Sequence, residues 1–196
     1  MDIGVHILLI ILSILFCVFH AIHMEPDILQ AYFFIILGTL WAALEVQIEG
    51  EHGWATELPT SNFFNTKYTW YHVIMNLMVI VITFQTTEWS WRLPFWIAGL
   101  FLVEDYLWFL INPHYGIYNY NEEQVPWHTW GLCGLGKCMP QGNWLSAIIM
   151  IASSTCSHLI EEDVTLWWHL LTIFSYLVFT TLFNMFMICI QSSGEI

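Results

Sequence analysis

The chain has 196 residues, of which 58% are hydrophobic and only 10% are charged, and its mean hydropathy is +0.63. Soluble domains carry about a quarter charged residues, so this composition excludes a water-soluble globule. Three basic residues stand against sixteen acidic ones, which leaves no basic patch for phosphates, and we expect no nucleic-acid partner. One membrane domain spanning residues 1–196, surrounded by membrane lipids, fits this length.

Six apolar runs approach the length of about 20 residues that a helix needs to cross a bilayer. They cover roughly residues 3–24, 28–48, 68–84, 95–111, 144–160 and 166–190. The first run lacks the basic start of a signal peptide and is longer than its apolar stretch, so we interpret it as a span. The sequence therefore predicts an all-α integral membrane protein, a multi-pass bundle of about six transmembrane helices.

Alternate crossings divide the connections between the two faces of the membrane. The loops 49–67 and 112–143 and both termini fall on one side, which we call side A, and the remaining loops fall on side B. Polar residues near the side A ends of different spans should therefore lie in one layer of the bundle.

Glu104 and Asp105 are the clearest ionisable residues inside a predicted span. A carboxylate in the middle of a membrane costs about 2.5–3.5 kcal/mol, and such residues are usually functional. Glu104 precedes Ile111 by seven residues, which places it about 10 Å below side A. Because adjacent helical positions point about 100° apart, both can face protein only if this span is deeply enclosed in the bundle, and we expect one of them to point into a site.

Other segments contribute imidazoles and carboxylates to the same layer. Glu45 and Glu49 are four residues apart and stack on one helical face, where their like charges require a cation, water or a proton between them. His72 lies one turn into the third span. The side A set comprises Glu45, Glu49, Glu51, His52, His72, Glu104, Asp105, His114 and His128.

Imidazoles and carboxylates together are the ligands of zinc and non-haem iron, and helical bundles often gather them from facing helices. The candidate metal ligands are Glu45, His72, Glu104, His52 and His128, and the candidate catalytic residues are Glu104, Asp105, Glu49 and His114. Trp54, Trp108 and Trp127 would wall the pocket. The chain contains no HExxH motif. The alternative interpretation is that these residues only meet headgroups and water.

Two stretches resemble the signatures of a known family. Residues 49–60 read EGEHGWATELPT and residues 104–116 read EDYLWFLINPHYG. They resemble the EGxxGWAxxLPT and EDxLWFxxNPxxG signatures of a family of small uncharacterised polytopic membrane proteins, over roughly residues 45–128. The resemblance implies a helical membrane fold and no particular activity.

Three functions remain open at this stage. The first is a small membrane enzyme, with a divalent metal (zinc or iron) or with acid and base groups alone, acting on a lipid or other apolar substrate. The second is a proton- or ion-coupled transporter, which requires water access from both sides. The third is a non-catalytic subunit whose carboxylates contact other membrane subunits.

Overall fold

The chain folds mainly into helices. The computed structural model describes residues 26–53, 58–60, 68–134 and 137–193, together with Ile11, Ile14 and Val18. Five helices lie within the continuous ranges: Pro26–Glu49 (α1), Trp70–Thr86 (α2), Arg92–Ile111 (α3), Gln141–Ile160 (α4) and Thr165–Ser193 (α5). Between α3 and α4 lie a 3-10 turn, Ile117–Asn119, and two antiparallel strands, Trp130–Gly134 (β1) and Lys137–Pro140 (β2).

Four of the described helices are long and apolar enough to cross a membrane. Their candidate spans are Leu29–Glu49, Arg92–Ile111, Gln141–Ile160 and Thr165–Ile190. The predicted count of six is not supported by the described residues. The run at 68–84 forms α2, an apolar helix of only 17 residues, and the run at 3–24 lies almost entirely outside the described residues.

Helix α3 occupies the centre of the described bundle and contacts the other four helices. Its candidate span is 72% buried, against 28% for those of α4 and α5. A helix that is apolar on nearly all sides is most stable when other helices surround it. A Cβ atom at Gly38 of α1 would lie 2.9 Å from Val103 Cγ1 of α3, so the absent side chain allows the two helices to approach closely.

Contacts at the helix ends agree with the alternate crossings predicted for these helices. At side A, the Asn112 side-chain amide after α3 donates to the Gly50 carbonyl after α1, at 3.0 Å. At side B, Arg92 at the start of α3 forms a 2.8 Å ion pair with Asp163 in the connection from α4 to α5. Helix α3 ends at Ile111, before the Asn112-Pro113 pair, as the sequence predicts.

Large apolar side chains remain exposed on α4 and α5. The most exposed are Leu145, Ile148, Leu159, Ile160, Trp168, Leu171, Val178, Phe179, Leu182 and Phe186. Apolar surface on this scale is unfavourable in water and suits contact with lipid chains. This surface and the four long apolar helices support the assignment to the membrane.

Candidate functional site

A cavity of about 380 Å³ lies near the side A end of the bundle, bordered by α1, α2, α3 and the start of α4. Small-molecule sites in proteins usually measure about 300–1,000 Å³. The cavity wall contains the four carboxyl groups and two imidazoles of Glu45, Glu49, Glu104, Asp105, His72 and His128. The structure therefore brings together candidate residues from separate elements of the chain.

Glu104 and Asp105 both line this cavity, whereas the sequence predicted a position in a site for one of them. Glu104 is directed towards Glu45 of α1, and Asp105 towards His128 and Asn143 on the opposite wall. Both reach the cavity because α3 is enclosed by the other helices and the cavity extends around one side of α3. Two side chains about 100° apart can therefore both reach it.

The carboxyl groups of Glu45 and Glu104 lie within hydrogen-bonding reach of each other. Both residues are only 7% exposed. The Trp41 indole, one turn before Glu45, donates to Glu45 Oε1 at 2.8 Å. Ionised carboxylates are acceptors only, so a hydrogen bond between these two groups requires that one of them hold a proton.

Glu49 is joined to α2 through His72. His72 Nε2 lies 3.1 Å from Glu49 Oε1, and both side chains are buried. On the other side of the ring, the Thr69 hydroxyl lies 2.7 Å from His72 Nδ1, and its oxygen accepts from the His72 backbone N–H. That hydroxyl can donate its own hydrogen to Nδ1, which leaves Nε2 protonated and facing Glu49.

Asp105 faces the loop that precedes α4. The Asn143 side chain lies within hydrogen-bonding reach of its carboxylate and donates its amide to the Tyr120 hydroxyl at 3.0 Å, and Asp105 Oδ1 lies 3.6 Å from His128 Nε2. Burial lowers the pKa of His128 to about 4 from its ordinary value of 6.5. This imidazole is therefore neutral at pH 7, and protonation is unfavourable because the buried charged form loses its hydration.

Aromatic rings form much of the remaining cavity wall. Trp108 of α3 packs edge to face against Trp127, at a centroid distance of 6.3 Å. Trp127 covers Gly53, where an added Cβ would lie only 2.6 Å from the Trp127 ring. The other aromatic members of the wall are Trp41, Tyr68, Phe101 and Phe109. Trp54, the third predicted wall residue, lies outside the described residues.

His52 and His114 do not line the cavity. Both lie beside the exposed Glu51, with His52 Nε2 at 3.6 Å and His114 Nδ1 at 4.0 Å from its carboxylate oxygens. Helix α1 ends at Glu49, and Gly50 then adopts a φ of 56° that turns the chain away. The predicted ligand His52 and the predicted catalytic residue His114 therefore belong to a separate surface cluster.

The described residues contain no group of three or more His, Cys, Asp or Glu side chains arranged to hold a metal ion. The six ionisable groups of the cavity are instead arranged as three pairs, Glu45 with Glu104, Glu49 with His72, and Asp105 with His128. Metal binding by Glu45, His72, Glu104 or His128 would require these pairs to rearrange.

Several cavity residues escaped the sequence analysis. Trp41 donates a hydrogen bond to Glu45 and Asn143 lies within hydrogen-bonding reach of Asp105, yet neither residue type is unusual near the end of a membrane helix. The spacing of four residues between Trp41 and Glu45 was a usable signal, because such residues share a helical face. Asn143 carried no comparable signal.

No protein-family profile matches the chain, and neither a curated protein nor a solved structure matches it at a significant level. The resemblance of residues 49–60 and 104–116 to signatures of small polytopic membrane proteins therefore stays a prediction. The function has to be inferred from the cavity itself.

Proposed function

We propose that this is a multi-pass integral membrane protein whose side A cavity is an acid–base site acting on a lipid or another apolar substrate. The observation that carries the proposal is the buried pair of Glu45 and Glu104, whose carboxyl groups lie within hydrogen-bonding reach of each other, an arrangement that a shared proton would stabilise. A carboxyl group kept protonated by its surroundings is a suitable general acid.

The second buried pair supplies the complementary group. The hydrogen bond from His72 orients Glu49 within the same cavity, so Glu49 would accept a proton while Glu104 or Glu45 donates one. Pairs of ionisable groups with different surroundings are the usual arrangement for acid and base roles. The exposed apolar surface of the helices supports a substrate that arrives from the membrane.

The packing towards side B favours an enzyme over a transporter. In the half of the bundle below the cavity, Phe34 and Trp96 stack at 4.5 Å, and both are at most 1% exposed. Phe95 and Leu100 are likewise fully buried there. A conduit needs water on both sides of its ion site, whereas an enzyme needs one opening.

The test is lipid conversion by the purified protein in liposomes of a total membrane lipid extract, followed by mass spectrometry. We expect the wild type to alter at least one lipid class, and the variants Glu104→Gln and Glu45→Gln to lose this activity. The control is Glu88→Gln, an exposed carboxylate between α2 and α3. Unchanged lipids with wild-type protein, together with proton flux across the vesicle, would instead establish a transporter.

A metal-dependent form of the proposal uses Glu45, His72 and Glu104 as ligands for zinc or iron, with His128 close by. The metal content of the purified wild type and of a single variant at each of these three positions distinguishes the metal-dependent mechanism from the metal-free one. A metal that is lost in all three variants would assign these residues as ligands. Activity that persists after chelation would assign them as acid and base groups alone.

A further inference from the structure

The cavity carries an excess of negative charge. Four carboxyl groups and two imidazoles line it, and none of its described lining residues is Lys or Arg. One shared proton neutralises a single carboxyl of the Glu45 and Glu104 pair, so the cavity would remain negative even if both imidazoles were protonated. Buried negative charge without a counter-charge is unfavourable, which favours a positively charged ligand.

The walls indicate which kind of cation fits. Indole and phenyl rings surround the carboxyl groups, with Trp41, Trp108 and Trp127 as the largest members. Aromatic faces attract organic ammonium groups, and cages of such rings are the usual binding sites for quaternary ammonium ligands. A small inorganic cation would gain little from these rings, because it is bound by oxygen or nitrogen ligands instead.

The Trp108 indole N–H provides a second, independent indication of a ligand. Trp108 is 4% exposed and lines the cavity, and its Nε1 atom lies near Glu49 without a hydrogen bond of ordinary geometry in the described part of the chain. A buried donor of this kind usually has a partner. An oxygen next to the cationic nitrogen of a ligand would supply an acceptor.

Two of the residues that line the cavity are themselves exposed, and one of them lies on an apolar helix. Leu145 of α4 lines the cavity and is 59% exposed, and it lies on the same helix as the exposed Ile148. Tyr68, just before α2, lines the cavity and is 38% exposed. An apolar chain can therefore remain among the exposed apolar residues while a polar headgroup enters the cavity.

We propose that the cavity binds the ammonium group of its substrate, a lipid or apolar amine with a positively charged nitrogen beside a hydrogen-bond acceptor. This inference rests on the proposed function and specifies its substrate class. The carboxylates of Glu49 and Asp105 would face the cation, the rings of Trp108 and Trp127 would enclose it, and the Trp108 N–H would bind the neighbouring oxygen.

The test is isothermal titration calorimetry on the purified full chain in a non-ionic detergent, with three probes. These are choline, the neutral isostere of choline in which carbon replaces nitrogen, and lysophosphatidylcholine. We expect choline to bind and its neutral isostere to bind at least about tenfold more weakly, because only the cation gains from the carboxylates and the rings. If lysophosphatidylcholine binds more tightly than choline, the natural ligand is a lipid headgroup. If choline binds more tightly, the natural ligand is a free amine.

Matched variants locate the binding site. Glu49→Gln and Trp127→Leu should each weaken choline binding by about tenfold. Glu88→Gln and Trp89→Leu, which change exposed residues at side B, should leave it unchanged. Asp105→Asn provides a further cavity variant if Glu49→Gln does not fold.

Equal binding of the charged and neutral isosteres, binding of zinc or magnesium only, or no binding of choline and lysophosphatidylcholine would each overturn the inference. Conversion of an uncharged lipid without choline binding would leave the proposed function standing and overturn only the substrate class. Choline binding without any conversion would support the ligand class and contradict the enzyme.

Discussion

His72 Nε2 of α2 lies 3.1 Å from Glu49 Oε1 of α1, and near the other end of the same two helices the Gln30 side-chain amide donates to the Thr86 carbonyl at 3.2 Å. The pair of His72 and Glu49 is buried, so it joins two walls of the cavity through a contact between ionisable groups. We expect this contact to contribute to both the shape of the cavity and the stability of the bundle.

Replacing His72 should therefore destabilise the protein through Glu49. His72→Ala leaves a buried carboxylate without its partner, which typically costs about 3–5 kcal/mol. The double variant His72→Ala/Glu49→Gln should recover part of this loss, because a neutral amide is cheaper to bury. Thermal unfolding in detergent measures both. A double variant as unstable as His72→Ala would show that the loss comes from packing.

Replacing Glu104 should separate activity from stability. Glu104→Gln keeps the size of the side chain and removes the acidic proton, so we expect lipid conversion to fall by at least about 100-fold. The melting temperature should stay the same or rise, since the cost of burying a carboxyl beside Glu45 is reduced. Full activity in a stabilised variant would assign Glu104 to packing.

Gly53 and Gly50 offer a matched pair of substitutions. Both have a φ of 56°, but an added Cβ meets the Trp127 ring only at Gly53 and meets nothing within 4 Å at Gly50. Each substitution to alanine should cost about 1–2 kcal/mol in backbone strain. Only Gly53→Ala should also reduce activity and choline binding, by displacing Trp127. Equal effects of both on activity would show that Trp127 does not shape the site.

Acidification should destabilise the fold through His128. Its pKa is about 4 in the folded protein and 6.5 when exposed, so the unfolded chain binds more protons over this range. Stability should therefore be highest above pH 6.5 and decline as the pH falls towards 4. The decline should be on the order of 3 kcal/mol.

The variant His128→Gln should flatten this part of the stability profile, because glutamine does not titrate. His158→Gln provides the control, since His158 is exposed near the end of α4. Unfolding midpoints measured in steps of pH give the comparison. An unchanged slope in His128→Gln would assign the acid sensitivity to other groups.

The sequence predicted most of the helices because hydropathy determines which segments can leave water. The runs at 28–48, 95–111, 144–160 and 166–190 differ by only a few residues from α1, α3, α4 and α5. The short strands β1 and β2 within the loop 112–143 were missed, since neither carries a clear alternating pattern.

The sequence also predicted the depth in the bundle at which the site residues lie, but it did not predict which of their side chains contact each other. Because successive spans run in opposite directions, Glu45, His72 and Glu104 lie at one depth, independently of the contacts that their side chains make. Which carboxyl meets which partner depends on the rotation and spacing of the helices, as in the close approach of Gly38 to Val103. The outward position of His52 depends on the backbone turn at Gly50, which hydropathy does not reveal.

The proton shared by Glu45 and Glu104 is the centre of the proposed mechanism, and infrared spectroscopy detects it directly. The absorption of protonated carboxylic acids is recorded at pH 7 for the wild type, for the double variant Glu45→Gln/Glu104→Gln and for Glu88→Gln. We expect the wild-type spectrum minus that of the double variant to contain a protonated-carboxyl band that shifts in heavy water, and the difference with Glu88→Gln to contain none. A difference spectrum without this band would mean that both carboxyls are ionised, which would contradict the acid–base site.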